Sequence, residues 1–192
     1  MLYCTFMQER TFFLTVTRAA IALVWAAALA VAIGDRVPST ASDLPVAAAL
    51  LLSAYPLIDA VSSFVEARAR ASATLWVNGA ISVAAAAALA VAGFAGDAGS
   101  ALLVFGAWAA VSGAIQLGVA LHRRGAGAPQ WPMIISGTLS TLAGLSFVAA
   151  SAQDAAHLAN LAGYAAVGAV LYLLWAGRGR RSDRGRLSAT SP

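Results

Sequence analysis

The sequence predicts an all-α membrane protein with six transmembrane helices, arranged as three tandem helical hairpins, with both termini in the cytoplasm. Of its 192 residues, 60% are hydrophobic and only 10% are charged, whereas a soluble domain carries about 25% charged residues. This composition predicts the membrane class. The distribution of arginine predicts the orientation, and an internal repeat predicts the hairpins.

Six apolar windows account for the six helices. Each approaches the roughly 20 residues that a helix needs to cross a hydrocarbon core about 30 Å thick. The windows cover residues 11–33, 44–66, 71–93, 100–121, 131–151 and 155–176. The third and the sixth are the weakest because they are rich in alanine, which is only marginally hydrophobic for insertion. The internal repeat described below requires both of them.

The first window also has features of a signal peptide, since Arg10 and Arg18 precede an apolar run that ends in the small-residue sequence "AVAI". We favour a transmembrane helix, because removal of this segment would leave its partner in the repeat unpaired. The single cysteine, Cys4, excludes a disulfide framework and a cysteine-based metal site.

The arginines predict the orientation of the helices. All twelve basic residues are arginine, and eleven of them lie towards one end of the predicted helices. Only Arg36 lies in the other set of connections, which contain the acidic residues Asp35, Asp43, Asp97 and Asp154. Because basic residues stay on the cytoplasmic side, both termini are predicted to be cytoplasmic. The net charge of +4 follows from this topology, so we predict no nucleic-acid partner.

The chain divides into a membrane domain at residues 1–176 and an Arg-rich tail at residues 177–192. The composition of the tail, rich in Gly, Ser and Arg, predicts disorder. Basic residues near an anionic membrane surface contribute about 1 kcal/mol each to binding, so the tail could hold anionic lipid. The alternative is that its arginines only set the topology.

Three copies of one helical hairpin follow one another along the chain. The even-numbered helices carry Tyr55, Trp108 and Tyr164, which are 53 and 56 residues apart, each followed by an aliphatic run and arginine. The odd-numbered helices carry "AAIA" at 19–22, "GAIS" at 79–82 and "GTLS" at 137–140. The repeats span about 11–66, 71–121 and 131–176. A two-helix unit cannot bury its packing face alone, so we expect three of them to stack.

Six glycines of these helices are predicted to permit close helix contacts, because small residues drive helix packing in lipid. They are Gly79, Gly113, Gly137, Gly144, Gly163 and Gly168.

The threefold pattern of an aromatic residue, an aliphatic run, small residues and arginine resembles the HdeD-type acid-resistance membrane proteins, which are built from short repeats of unassigned biochemical role. The resemblance covers about residues 10–181. Arg18, Asp59 and the "SGTLS" sequence at 136–140 lie where that family has Arg, Asp and a Ser-Gly pair. The resemblance implies a non-enzymatic role in tolerance of acid or envelope stress, in the inner membrane of a bacterium.

The chain also departs from the pattern of that family. Ala19 stands where Gly usually follows the arginine, and Asn78 and Gln116 occupy positions that are commonly Glu. Only the first external connection keeps a proline, Pro38.

Several polar residues are predicted to lie at one depth in the membrane. Arg18 lies 17 residues before Asp35, and Asp59 lies 16 residues after Asp43, which is about 25 Å in each case at 1.5 Å per residue. The same count places three further residues in nearly the same layer: Asn78, Gln116 and Ser136. Ionisable groups inside a membrane face the bundle interior and pair. We therefore predict an ion pair between Arg18 and Asp59, within reach of Asn78.

Three roles for this polar layer stay open. The pair could be structural and fix how the first hairpin docks. The layer could form a polar path for protons, ions or a small solute, so a small transporter or channel is the alternative function. The layer could also couple the protein to another membrane protein or to a second copy of itself.

Other candidate residues are few. Asp154 and His157 lie near the predicted external surface, where the histidine could titrate with external acidity. The sequence contains no zinc-ligand cluster, phosphate loop, nucleophile elbow or pair of catalytic carboxylates. We therefore predict no catalytic residues, no metal and no cofactor, and the lipid bilayer is the expected partner.

Overall fold

The computed structural model describes residues 2–124, 131–155, 158–171 and 173–174. Over these residues the chain is all-α, and its six helices overlap the six apolar windows, so the predicted class and number of helices are confirmed. The helices are α1 (Leu2–Ile33), α2 (Val46–Arg70), α3 (Ala73–Ala95), α4 (Ala98–His122), α5 (Trp131–Ala150) and α6 (Ala159–Leu171). The Arg-rich tail lies outside the described residues.

The outer surface of the bundle is apolar. Four segments are long and apolar enough to cross a membrane: Val46–Ala69, Ala73–Ala95, Ala98–His122 and Met133–Ala150. The first and last helices contribute the shorter apolar segments Ala19–Ile33 and Ala159–Leu171. Large side chains such as Val24 and Val31 are 70% and 78% exposed, whereas soluble monomers rarely expose wide apolar patches. By helix length and hydropathy, the chain is a multi-pass membrane protein.

Among α1 to α5, the most extensive contacts join α4 to α5 and α2 to α3, while the contacts of α3 with α4 and of α1 with α2 are less extensive. The connection between α2 and α3 is short, because Ala71 adopts the left-handed conformation (φ 48°) and Ser72 N donates to Ala67 O at 3.2 Å. The closest packing therefore joins helices that belong to successive repeats of the sequence. The division of the chain into three repeats stays a prediction.

Glycine determines how closely α4 and α5 approach. A Cβ on Gly113 would lie 2.6 Å from Thr141 N, and one on Gly137 would lie 2.7 Å from Leu117 N. A Cβ on Gly144 would meet the backbone nitrogen of Ala110. Since backbone cannot move aside as a flexible side chain can, only glycine fits at these contacts. Such close packing replaces the hydrophobic drive that lipid removes.

The predicted glycine contacts are found at four positions and are wrong at two. In addition to the three glycines at the α4–α5 contact, Gly79 on α3 lies against the ring of Phe64 on α2. A Cβ on Gly163 or Gly168 would meet none of the described residues within 4 Å. Gly163 is exposed, whereas Gly168 is half-buried and lines the cavity described below.

One end of the bundle is closed by a set of connections that we call the loop layer, formed by residues 34–45, 96–99 and 151–155. Thr40 N donates to Asp154 O at 3.1 Å and its Oγ1 donates to Gln153 O at 2.6 Å. Gly99 N donates to Thr40 O at 2.8 Å, and Ala98 N donates to Ser42 O at 3.0 Å. The α1–α2 connection thus ties together the other two connections at this end.

Candidate functional site

The carboxylate of Asp59 on α2 is held by donors from α3. Its Oδ2 accepts hydrogen bonds from Asn78 Nδ2 and from Ser82 Oγ, both at 2.9 Å. Asn78 and Ser82 are buried, with 8% and 0% of their surface exposed, while Asp59 is half-buried. A polar group that loses water must find hydrogen bonds inside the protein, and α3 supplies two of them to this carboxylate.

The network extends from α2 and α3 to α4. Ser82 Oγ accepts from Trp108 Nε1 at 2.9 Å, and Asn78 Nδ2 also donates to Ser63 Oγ at 2.9 Å. We call Asp59, Ser63, Asn78, Ser82 and Trp108 the Asp59 network. Among the described residues, Asn78 Oδ1 is buried without a hydrogen-bond partner.

A second serine–aromatic pair occupies the equivalent positions of the last repeat. The hydroxyl oxygens of Ser140 on α5 and Tyr164 on α6 lie 2.5 Å apart. Ser140 ends the "GTLS" sequence as Ser82 ends "GAIS", and Tyr164 corresponds to Trp108 in the sequence repeat. In the first repeat the serine position is Ala22. Two of the three predicted repeats therefore join their helices through an equivalent hydrogen-bonded pair.

A cavity of about 120 Å³ lies beside Asp59, between α1, α2, α4, α5 and α6. The three aromatic residues of the repeat, Tyr55, Trp108 and Tyr164, line it together. Its polar lining consists of Asp59, Ser112, Gln116, Ser136 and Ser140. Since one water molecule takes up about 30 Å³ in the liquid, the cavity has room for about four. The hydroxyl oxygen of Ser112 is buried and has no hydrogen-bond partner among the described residues.

An aromatic cluster closes the cavity on the side of the loop layer. Phe105, fully buried, lies 5.4 Å from Trp108 and 6.1 Å from Tyr164 between ring centroids. Trp25 and Tyr55 are 4.2 Å apart, and Trp25 Nε1 donates to Leu51 O at 2.6 Å. Trp25 and Phe105 lie nearer the loop layer than the polar lining does, because α1 ends there and α4 begins there. The cavity therefore extends from the middle of the bundle towards the end opposite the loop layer.

The residues of the predicted polar layer are found around this cavity. Asp59, Gln116 and Ser136 line it, and Asn78 contacts Asp59 from α3. Gln116 Nε2 also donates to Met133 O at 3.4 Å. Arg18 lies in α1 directly before Ala19, a lining residue, but its side chain lies outside the described part. The ion pair between Arg18 and Asp59 stays a prediction.

Of the two predicted external titrating residues, only Asp154 lies in the described part of the chain. Asp154 is exposed, and its backbone oxygen accepts from Thr40 N. His157 lies outside the described residues. Within the described ranges, no group of three or more His, Cys, Asp or Glu residues could hold a metal ion.

The sequence reasoning missed Ser82 and Ser140 as polar groups of the interior. Each was recognised only as the last residue of a repeated sequence. The signal was nevertheless present, because they lie four residues after Asn78 and Ser136 and hence on the same helix face as those residues.

Comparison with known proteins agrees with a short-repeat architecture. Residues 98–149, which cover most of α4 and α5, match the model of a family described as a short repeat of unknown function, DUF308. That family includes HdeD-type proteins. The comparisons with curated proteins and with solved structures found no match.

Proposed function

We propose that the protein is a non-enzymatic protein of the bacterial inner membrane that contributes to tolerance of acid or envelope stress. The observation that carries this proposal is the short-repeat match of residues 98–149, together with the resemblance of residues 10–181 to the HdeD-type proteins. The match covers the α4–α5 pair, which makes the most extensive contacts among the described helices α1 to α5.

In this proposal all six helices cross the bilayer, both termini are cytoplasmic and the loop layer faces outwards. The distribution of charge supports this orientation. The loop-layer end carries Asp35, Asp43, Asp97 and Asp154 but only one arginine, Arg36, whose Nη1 donates to Ala32 O at 3.2 Å. The lipid bilayer is the partner that the proposal requires, and binding of anionic lipid by the tail stays a prediction.

Deletion of the gene in its own host tests the role. We expect survival after a shift to acidic medium to fall, and the wild-type gene to restore it. Asp59→Ala should restore survival poorly, whereas Val61→Ala, on the outer face of the same helix, should restore it fully. Equal survival of the deletion strain and its parent under acid and envelope stress would contradict the proposal.

A small transporter or channel is the second candidate function. The cavity beside Asp59 favours it, since transporters place their binding sites inside the membrane, and Pro56 interrupts the hydrogen bonding of α2 one turn before Asp59. Flux of protons, ions and small solutes into proteoliposomes at two external pH values tests this candidate. Flux equal to that of empty liposomes would exclude it for the solutes used.

A further inference from the structure

The cavity combines features that suit a small organic cation. Three aromatic rings line it, one from each repeat, and a carboxylate lies among them. The negative face of an aromatic ring attracts a cation, most strongly where water is excluded. We propose that the cavity is a binding site for an alkylammonium group, such as a trimethylammonium headgroup. This site is independent of the proposed role in stress tolerance.

The sequence repeat explains why three rings meet at one place. Tyr55, Trp108 and Tyr164 hold corresponding positions on α2, α4 and α6, and all three line the same cavity. Their contacts fix the orientation of the rings: Tyr55 and Trp108 are perpendicular at 5.8 Å, and Tyr164 is perpendicular to Phe105 at 6.1 Å. Rings held in this way lose little freedom when a ligand binds, which favours affinity.

The repeats differ at the next turn of the same helices, and this difference gives the cavity one acidic side. The residues four positions after the three aromatic residues are Asp59, Ser112 and Gly168, all of which line the cavity. Only one of them can carry charge. The Asn78 and Ser82 bonds hold its carboxylate in place, so a bound cation meets a fixed anion rather than a mobile one.

The volume sets the size of the ligand group. An engineered cavity of about 150 Å³ accepts benzene, which has six non-hydrogen atoms. The present cavity, at about 120 Å³, therefore suits a compact group such as trimethylammonium, with a short polar extension towards Ser136 and Gln116 at the far end of the lining.

The predicted ion pair bears directly on this site. A guanidinium at Arg18 and a bound ammonium would compete for the same carboxylate, so the ligand would replace the arginine. Removing the arginine should then tighten binding of a cation, whereas it should not tighten binding of a neutral molecule of the same shape.

Binding to the purified, full-length protein in nanodiscs tests the proposal. The probes are choline and its uncharged isostere 3,3-dimethylbutanol, with calorimetry and the melting temperature as readouts. We expect choline to bind and raise the melting temperature, and the isostere to bind at least about tenfold more weakly, because it lacks the charge on which the cation–π attraction depends. Absence of choline binding, or equal binding of both probes, would overturn the proposal.

Variants locate the site. Asp59→Asn and Tyr55→Leu should each weaken choline binding by about tenfold, Tyr55→Phe should retain it because the ring remains, and Arg18→Gln should tighten it. Trp76→Leu is the control, since Trp76 is 46% exposed on α3 and is not a lining residue. Unchanged affinity in both Asp59→Asn and Tyr55→Leu, or weaker binding in Arg18→Gln, would contradict a cation site at this cavity.

Discussion

Asp59 is a charged residue in the interior of a membrane bundle, and its neighbours determine whether the charge can be accommodated there. Placing an aspartate at the centre of a membrane helix costs about 3 kcal/mol on insertion scales, and simulations give more than about 10 kcal/mol for an arginine. Two donors from α3 reduce that cost. The predicted guanidinium of Arg18 would reduce it further by supplying the opposite charge.

A double-mutant cycle tests the predicted ion pair. Asp59→Ala or Arg18→Ala should each lower stability by about 3–5 kcal/mol, because removing one partner leaves the other charge buried alone. The double mutant should recover part of the loss. The melting temperature of the detergent-solubilised protein measures each effect, and additive losses with no coupling would show that the two residues are not paired.

Ser82 links the carboxylate to α4, and its removal should loosen both contacts. Ser82→Ala removes one of the donors to Asp59, which keeps its bond from Asn78, and removes the acceptor of Trp108 Nε1. A buried donor left without its acceptor costs about 1–3 kcal/mol. We expect a clear fall in melting temperature. Ser146→Ala is the matched control, since that exposed serine bonds only to Ala143 O in its own helix, and it should be nearly neutral.

Asp97 makes one helix end sensitive to acidity. Its Oδ1 accepts from Ser100 N at 2.8 Å at the start of α4, and the hydrogen bonds from Ser100 hold the pKa of this carboxyl below its ordinary value. A lowered pKa stabilises the folded state above the unfolded pKa of about 4. The contribution is lost as the pH falls through the lower folded pKa.

Asp97→Ala should therefore destabilise the protein by about 1 kcal/mol at pH 7, as loss of a helix cap does. The difference between the wild type and this variant should shrink as the pH falls below the unfolded pKa of about 4 and through the lower folded pKa of Asp97, because the wild-type carboxyl then becomes protonated too. Melting temperatures of both proteins across this range provide the measurement. If the difference in melting temperature stays constant with pH, the ionised carboxylate of Asp97 does not stabilise the start of α4.

The sequence was sufficient to select four polar residues at or beside the cavity but not to assign their contacts. Counting along the helices placed Asp59, Asn78, Gln116 and Ser136 at one depth, because helical rise is constant. The count gives no rotation about the helix axis and no distance between helices. It therefore could not show that Ser82, rather than another serine, bonds to Asp59.

At the scale of the helices, close backbone approach distinguishes the α4–α5 pair. Gly144→Ala places a methyl group against the backbone of Ala110, so the helices must separate and lose packing along their length. We expect a large loss of melting temperature or yield.

The control is Gly163→Ala on α6, where a Cβ meets none of the described residues within 4 Å. It should be neutral or slightly stabilising, because alanine favours helix over glycine by about 1 kcal/mol. Equal effects of both substitutions would contradict the role of glycine at this contact.

The helices themselves could be predicted because apolar length is a local property of the sequence. The alanine-rich window at 71–93 is one of the two weakest candidates for a membrane helix in the sequence. Nevertheless α3 forms over Ala73–Ala95 and has the length and hydropathy of a membrane span. Which helices pack closely could not be predicted in the same way. Glycine occurs on faces that pack, as at Gly113, and on faces that do not, as at Gly163, and composition alone does not separate the two.

For the whole molecule, the charge asymmetry predicts one orientation in the membrane. Reporter fusions at Asp97 and at Arg181 test it: the Asp97 fusion should report an external position and the Arg181 fusion a cytoplasmic one. The physical reason is the retention of arginine on the cytoplasmic side. An external signal from the Arg181 fusion would show that the orientation is opposite to the predicted one.

The loop layer has a consequence for the order in which the protein is made. Thr40 takes its hydrogen-bond partners from residues 99, 153 and 154, so the first connection to leave the ribosome finds its last partners only when α5 is complete. Until then its polar backbone must remain hydrated or be bound by an insertion factor. The connection that is synthesised first is thus among the last parts of the molecule to reach its final structure. If synthesis stops after α4, the hydrogen bonds from Thr40 to residues 153 and 154 cannot form.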